Sequence, residues 1–111
     1  QTARSLSPID PFGYYYDSLA STAYVSAEQF EKGLEFADRS LAVNDRHLST
    51  MRTKVTALHN LGRFVEARET AQLIQRRHPE FNLDEYRKSH PSADHRVGKM
   101  VIEALQTSGI T

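Results

Sequence analysis

The chain has 111 residues, of which 39% are hydrophobic and 25% charged, enough for one small globular domain or part of a larger protein. Basic and acidic residues balance at 14 each, and this zero net charge argues against a dedicated nucleic-acid-binding protein, which usually carries a basic excess. The absence of cysteine excludes disulfides and thiolate metal sites.

The first predicted helix covers residues 11–26. Asp10 and Pro11 mark its start, because aspartate is a good N-cap and proline is favoured at the first helical position. Apolar and small side chains then recur at close to helical spacing, which predicts that they face inward. These side chains are Phe12, Tyr16, Leu19, Ala20, Ala23 and Tyr24.

Three consecutive tyrosines, Tyr14, Tyr15 and Tyr16, lie near the start of this helix. A run of aromatic residues is one way to stack nucleic-acid bases. Successive helical side chains point about 100° apart, however, so three in a row cannot form one flat surface. We therefore expect Tyr16 in the core, Tyr14 against a preceding unit and Tyr15 in an open groove.

The second predicted helix covers residues 29–43 and the third covers residues 48–61. The inward residues of the second helix are expected to be Phe30, Gly33, Leu34, Ala37 and Leu41. The apolar stripe of the third helix consists of Met51, Val55, Leu58 and Leu61. Gly62 is expected to end the third helix, because glycine readily takes the positive φ found after a helix C-terminus.

The fourth predicted helix covers residues 64–77 and ends before Pro79. Ala67 and Ala71 are small, which predicts a close approach between the third and fourth helices. The larger residues expected to fill the sides of this contact are Phe64, Leu73 and Ile74.

The pattern changes after residue 81. Asn82 followed by Glu85 reads as a capping box, which predicts a short helix ending at about residue 88. A last helix is predicted over residues 94–107, with Gly109 closing it. Its apolar face is expected to consist of Val97, Met100, Val101, Ala104 and Leu105.

Residues 14–47 align with residues 48–81 without a gap, so the chain contains a period of 34 residues. The aligned pairs include Ala23 with Ala57, Tyr24 with Leu58, Phe30 with Phe64, Gly33 with Ala67, Ala37 with Ala71, and Asp45 with Pro79. This rhythm of small and aromatic residues resembles the tetratricopeptide repeat (TPR), a helix–turn–helix unit. The resemblance implies an all-α solenoid whose units stack on one another and form a groove rather than an active site.

The resemblance also implies how the chain is divided. Residues 1–9 would end a preceding repeat, residues 10–47 and 48–81 would form two TPR units, and residues 82–111 would form a short helix and a C-terminal capping helix. The first unit is acidic and the second is basic: residues 1–45 carry three basic and seven acidic residues (net −4), and residues 46–81 carry seven basic and three acidic residues (net +4). This asymmetry could favour a stacking order or a charged partner, or it could be a chance feature of a solvated surface.

A narrower resemblance concerns short stretches of residues 6–11, 39–41, 47–48, 61–63 and 79–83. These stretches, and the ending Ser108-Gly109-Ile110, resemble the C-terminal TPR tail of bacterial class III adenylate/guanylate cyclases and related multidomain regulators. The resemblance implies a parent protein in which a catalytic or DNA-binding domain comes first. The fragment itself carries none of the metal-binding aspartates of a cyclase, so we expect no enzyme activity and no catalytic residue in it. Its expected role is protein–protein interaction or scaffolding; the alternatives are a fragment of a cyclase, the tail of a transcriptional regulator, and a self-association module.

The TPR resemblance places a peptide groove along the first helix of each unit. Carried onto this chain, its lining residues are Tyr15, Ser18, Thr22, Val25 and Ser26, then Ser49, Arg52, Thr56, His59 and Asn60. Arg52 is the one formal charge among them, and a guanidinium suits a carboxylate or an acidic peptide. His59 is interpreted as either a groove contact or a solvated residue. The chaperone-tail clamp of some TPR proteins is not expected, since Ser18, Thr22 and Thr56 do not match it.

One cluster of possible metal ligands remains. His90, Asp94 and His95 are close in sequence, but no fourth ligand is in view, so a polar hinge with Asp94 capping a helix is the expected role. We therefore expect no metal and no cofactor.

The expected partner is a protein, a peptide or a second copy, not nucleic acid or a membrane, since no apolar run approaches the length of a membrane span. No signal peptide precedes the domain, but the chain begins in mid-pattern, so a preceding segment could have held one. The default expectation for the compartment is the cytoplasm.

Overall fold

The computed structural model describes residues 13–89 and 96–110. These residues form helices joined by turns, with no strand among them, which confirms the all-α fold class. The helices are α1 (Gly13–Ser26), α2 (Phe30–Val43), α3 (Leu48–Asn60), α4 (Phe64–Arg77), α5 (Leu83–Ser89) and α6 (Arg96–Thr107). Predictions about residues 1–9, Asp10, Pro11, Phe12, His90, Asp94 and His95 concern residues outside the described part.

The helices form two consecutive pairs, a first pair of α1 and α2 and a second pair of α3 and α4. Small residues allow each pair to pack closely, as the sequence predicts. A Cβ atom added to Gly33 in α2 would lie 2.5 Å from Cγ2 of Val25 in α1. In the second pair the matching Ala67 is completely buried.

The turns within the two pairs share one geometry but differ in the residue that makes it. Gly62 follows α3 with a φ of +79°, and the Arg63 N–H donates to the Leu58 carbonyl at 2.9 Å, which closes the helix as predicted. In the first pair the matching residue is Glu28, with a φ of +62°, and the Gln29 N–H donates to the Tyr24 carbonyl at 2.8 Å. A non-glycine residue in this region carries a conformational cost that glycine avoids.

The core is centred on α3, which contacts α1, α2, α4 and α6. The largest fully buried side chains of the core include Met51 and Leu58 of α3, Ile74 of α4, Leu105 of α6 and Ile110. Burial of one such side chain contributes about 1.5–3 kcal/mol relative to exposure. Residues from the tail therefore complete the core of the second pair.

Helix α6 runs in the opposite direction to α3. The hydrogen bond from Thr50 to Ser18, 2.8 Å long, places the N-terminal half of α3 beside α1. At its start, α6 is held to the C-terminal end of α1 by the Arg96 side chain, which donates to the Ser26 carbonyl at 2.8 Å. Beyond its end, the Gly109 carbonyl accepts a 3.3 Å hydrogen bond from Gln75, near the C-terminus of α4. The tail thus folds back across the pairs instead of adding a parallel helix to the array.

The predicted apolar face of α6 is the face that packs. Ala104 and Leu105 are completely buried, and Met100 and Val101 pack against the core from its edge. Ile102 is also buried, although the pattern did not place it on this face.

Much of the apolar face predicted for α1 is exposed. Tyr16 retains 57% of its accessible surface, so the prediction that it lies in the core is wrong. Leu19 retains 51% and Ala23 is exposed as well, whereas Ala20 and Tyr24 are partly buried. Phe64 in α4, predicted to fill the side of a helix contact, is 56% exposed. Helical periodicity identifies an apolar face, but it does not show whether another helix lies against that face.

The opposite charges of the two pairs meet at their interface. Lys54 of α3 lies 2.8 Å from the Asp38 carboxylate of α2, and Arg77 lies 3.2 Å from the carboxylate of Asp45. Both acidic side chains are more than half exposed, so each of these two ion pairs contributes about 1 kcal/mol or less to the stability of the fold. The charge asymmetry of the sequence is therefore used in part to join the acidic pair to the basic pair.

Candidate functional site

The predicted groove residues do not form one open surface. Tyr15, Thr22 and Asn60 are exposed. Ser18, Val25 and Thr56 are buried, and the prediction that they line an open groove is wrong. Of the two further positions, Ser49 is exposed and Ser26 is partly buried.

Ser18 is buried because it joins a polar network between the two helix pairs. The Thr50 hydroxyl donates to Ser18 Oγ at 2.8 Å and lies 3.3 Å from Ser40 Oγ. His47 Nδ1 lies 2.6 Å from the same Thr50 oxygen. Since the Thr50 proton is directed at Ser18, His47 Nδ1 is the donor in that contact. Burial, and to a lesser degree the charge of Arg52, lowers the pKa of His47 below its ordinary value.

Val25 and Thr56 are buried for separate reasons. Val25 fills the space above Gly33 that a larger residue in α2 would otherwise occupy. Thr56 is completely buried, and its hydroxyl donates to the Arg52 carbonyl within α3 at 2.9 Å. Neither side chain is available to a partner without rearrangement of the helices.

His59 is neither an open groove contact nor a fully solvated residue. Its ring packs edge-on against Phe64, with the ring centres 5.4 Å apart. Its Nδ1 atom is buried and has no hydrogen-bond partner among the described residues. A buried polar atom without a partner costs about 1–3 kcal/mol, so this histidine is a weak point of the second pair.

The predicted residue with the most distinctive surroundings is Arg52. Its guanidinium carbon lies 4.8 Å from the ring centre of Tyr86 and 5.7 Å from that of Phe81. The two rings meet edge-to-face with their centres 6.0 Å apart. Beside them is a cavity of about 350 Å³, the Arg52 cavity, lined by Leu48, Arg52, Glu80, Phe81, Asn82, Glu85 and Tyr86.

The start of α5 holds the aromatic side of this cavity in position. The Asn82 side-chain oxygen accepts a 2.8 Å hydrogen bond from the Glu85 N–H, which confirms Asn82 as the N-cap of the short helix. Leu83 is buried and belongs to the core. Tyr86, about one turn later, is therefore presented to Arg52 by a capped and anchored helix.

Arg52 is a partly buried cation without an ion pair. In the part of the chain that the structure describes, no carboxylate forms a salt bridge with it. Burial lowers the pKa of Arg52, whereas Tyr86 acts in the opposite direction, and an arginine remains charged in either case. The two rings compensate part of the lost hydration, at about 0.5–2 kcal/mol for a cation over an aromatic face.

Two carboxylates line the same cavity without neutralising Arg52. Glu80 is 75% exposed and lies 3.8 Å from His78, a pairing that requires a protonated histidine. Glu85 is exposed and forms no ion pair with the described residues. The Arg52 cavity thus presents separate positive and negative groups beside two aromatic rings.

Sequence reasoning identified Arg52 and missed its companions. Glu80 and Phe81 end the second repeat and Tyr86 lies in the tail, so the repeat pattern carries no information about their position relative to α3. The one signal that could have indicated Tyr86 is the Asn82 cap, which fixes the start of α5. The register of α5 against α3 is set only by the fold.

The described residues offer neither a metal site nor a membrane span. Among residues 13–89 and 96–110, no group of three histidine or acidic side chains could hold a metal ion, and the predicted candidates His90, Asp94 and His95 lie outside these ranges. In the same ranges, no helix combines the length and the apolarity needed to cross a bilayer. Comparisons with protein-family models, with curated proteins and with solved structures find no match to this chain.

Proposed function

We propose that this chain is a protein-interaction module that binds a segment of a partner protein at the Arg52 cavity. The observation that carries the proposal is Arg52 itself, a partly buried cation that lines an open cavity and has no ion-pair partner among the described residues. Arginine and tyrosine are the residue types that most often dominate the energy of protein interfaces, and the cavity contains both.

The composition of the cavity supports binding. Its walls combine one guanidinium, two carboxylates, two aromatic rings and the apolar side chain of Leu48. A few polar groups set among apolar ones are typical of sites that recognise a ligand. The partner is proposed to be an extended or helical peptide segment, in keeping with the TPR-type repeat of the sequence.

The proposal is tested with a random peptide library displayed on phage and selected on the immobilised protein. Selected peptides are then measured by calorimetry against the wild type, Arg52→Gln and Arg39→Gln. Arg39 is the matched control, because it is an exposed arginine in α2 whose ion pair with Glu35 lies away from the cavity. We expect Arg52→Gln to weaken binding at least about tenfold, as for loss of a charge-assisted contact, and Arg39→Gln to have no effect.

Circular dichroism of each variant shows whether the fold is retained. Selected peptides that bind Arg52→Gln as tightly as the wild type would place the interaction surface elsewhere on the molecule. A selection that yields no binder would contradict the proposal itself.

We further propose that the module belongs to the regulatory or scaffolding tail of a larger bacterial protein. The support is the resemblance of residues 79–83 and of the C-terminal ending to the tails of bacterial cyclases and related regulators. The sequence of the complete gene tests this. An upstream cyclase domain would identify the parent as an enzyme, and an upstream winged-helix domain would indicate a transcriptional regulator. A gene that encodes no further domain would contradict the proposal.

A further inference from the structure

We infer that the segment bound in the Arg52 cavity carries an acidic residue close to a basic residue, an inference that rests on the proposed function. The cavity is lined by one guanidinium and by two carboxylates, none of which forms a strong ion pair within the described residues. A partner that satisfies only one sign of charge leaves the other sign unpaired and partly desolvated. Pairing both is the arrangement that complements the site.

The acidic residue of the partner is directed to Arg52. A guanidinium that stacks on aromatic rings keeps N–H donors in its own plane, and these donors match the two oxygens of a carboxylate. Because the Arg52 side chain already lies against the Tyr86 and Phe81 rings, little side-chain freedom is lost when the carboxylate arrives. The contact is therefore pre-organised on the side of this chain.

The basic residue of the partner is directed to Glu80 and Glu85. These two carboxylates line one cavity, so an approaching peptide that carried only acidic residues would meet their repulsion. A lysine or arginine at this position removes the repulsion, and its aliphatic stem can cover Leu48 or an aromatic ring. A purely basic peptide is disfavoured in turn by Arg52.

The size of the cavity limits the spacing of the two charges. A cavity of about 350 Å³ is about 9 Å across if it is treated as a sphere. An extended chain advances about 3.3–3.6 Å per residue, so the acidic and basic residues are separated by no more than about two or three positions in an extended segment. In a helical segment the corresponding pairs are three or four residues apart.

The experiment uses capped synthetic peptides that share one neutral host of alanine, leucine and glutamine. One set contains a glutamate and a lysine at separations of one to four residues. Matched sets contain the glutamate alone, the lysine alone, or neither. Affinities are measured by fluorescence polarisation against the wild type, Arg52→Gln, the double variant Glu80→Gln/Glu85→Gln, and the control Glu69→Gln/Glu103→Gln, which removes the same charge from exposed positions of α4 and α6.

We expect the best peptide with both charges to bind the wild type and the control at least tenfold more tightly than either single-charge peptide. In Glu80→Gln/Glu85→Gln the advantage of the lysine should fall below twofold while the advantage of the glutamate remains. In Arg52→Gln the advantage of the glutamate should fall below twofold while the advantage of the lysine remains. This crossed pattern assigns each charge to its own partner.

The outcomes separate the inference from the proposed function. Glutamate-only peptides that bind as tightly as the mixed ones, or a lysine advantage that survives in Glu80→Gln/Glu85→Gln, would overturn the inference. If no charged peptide binds while library-selected peptides still depend on Arg52, the inference is wrong and the proposed function stands. If neither kind of peptide binds, both are wrong.

Discussion

The two helix pairs share one repeat pattern, yet the first helix of each is covered differently. In α3, Thr50 and Ala57 are completely buried and Thr53 is nearly so. The matching residues of α1 are Tyr16, Ala23 and Leu19, and all three are exposed. At two of these three positions the larger and more apolar residue is therefore on the exposed helix, so α1 presents an apolar surface to solvent.

The second helices of the two pairs, α2 and α4, also differ. Leu34 of α2 is buried in the core, whereas the matching residue of α4 is Arg68, which is exposed. The outer face of α4 is therefore polar at this position, whereas α1 exposes the apolar side chains of Tyr16 and Leu19.

The largest expected effect is a loss of stability when the packing of α6 against the second pair is weakened. Leu105→Ala removes a completely buried side chain and should destabilise the protein by about 2–5 kcal/mol. Leu19→Ala, the same change on the exposed face of α1, should cost less than about 1 kcal/mol. Urea unfolding of both variants measures the difference. Equal losses would show that the face of α1 is covered in solution, by self-association or otherwise, and light scattering would distinguish these cases.

The next effect concerns the close approach within the first pair. Gly33→Ala places a Cβ atom 2.5 Å from Val25 Cγ2 and should cost about 1–3 kcal/mol through overpacking. The double variant Gly33→Ala/Val25→Ala should recover part of this loss, because the shorter side chain removes the clash. Thermal unfolding checks both. A Gly33→Ala protein as stable as the wild type would mean that α1 and α2 separate without cost.

The turns within the two pairs give an effect of opposite sign. Glu28→Gly should relieve about 1 kcal/mol of positive-φ strain and make the first turn equivalent to the turn at Gly62. The exposed ion pair between Glu28 and Arg96, 2.8 Å long, is lost at the same time, at a cost of about 0–1 kcal/mol. The control Glu28→Gln removes the ion pair but keeps a non-glycine residue at the positive φ. The expected result is a higher melting temperature for Glu28→Gly than for Glu28→Gln, and the reverse order would show that glycine relieves no strain at this position.

The smallest effect concerns the network that joins the two pairs. The pKa of His47 is lowered in the folded state, so the unfolded chain binds the proton more readily. The contribution of neutral His47 to the free energy of unfolding is fully present above the ordinary histidine pKa of about 6.5. This contribution is lost as the pH falls through the lowered pKa of His47 in the folded state. Wild-type stability should therefore fall more between pH 7.5 and pH 5 than that of His47→Asn, whose amide does not titrate. Parallel pH profiles for the two proteins would exclude His47 as the cause.

Much of the fold can be predicted from local sequence. The apolar spacing predicts the helices, Asn82 predicts the start of α5, and Gly62 predicts a positive-φ turn, which the structure confirms with a φ of +79°. Gly109, predicted only to close the last helix, also has a positive φ, of +107°. The candidate site is predicted less completely. Arg52 was identified from its position in the repeat, but Ser18, Val25 and Thr56 are buried by contacts that a repeat register does not contain.

The sequence by itself determined the helical segments of the described residues, several of their ends, a period of 34 residues and the opposite charges of the two units. These properties depend on residues within a few positions of one another, so local propensity and spacing are sufficient to predict them. Tertiary structure alone decided which apolar faces are covered and the antiparallel direction of α6 relative to α3. It also decided the contact of Phe81 and Tyr86 with Arg52. Each of these depends on contacts between distant parts of the chain, where burial is set by the neighbouring helix and not by the pattern of the helix itself.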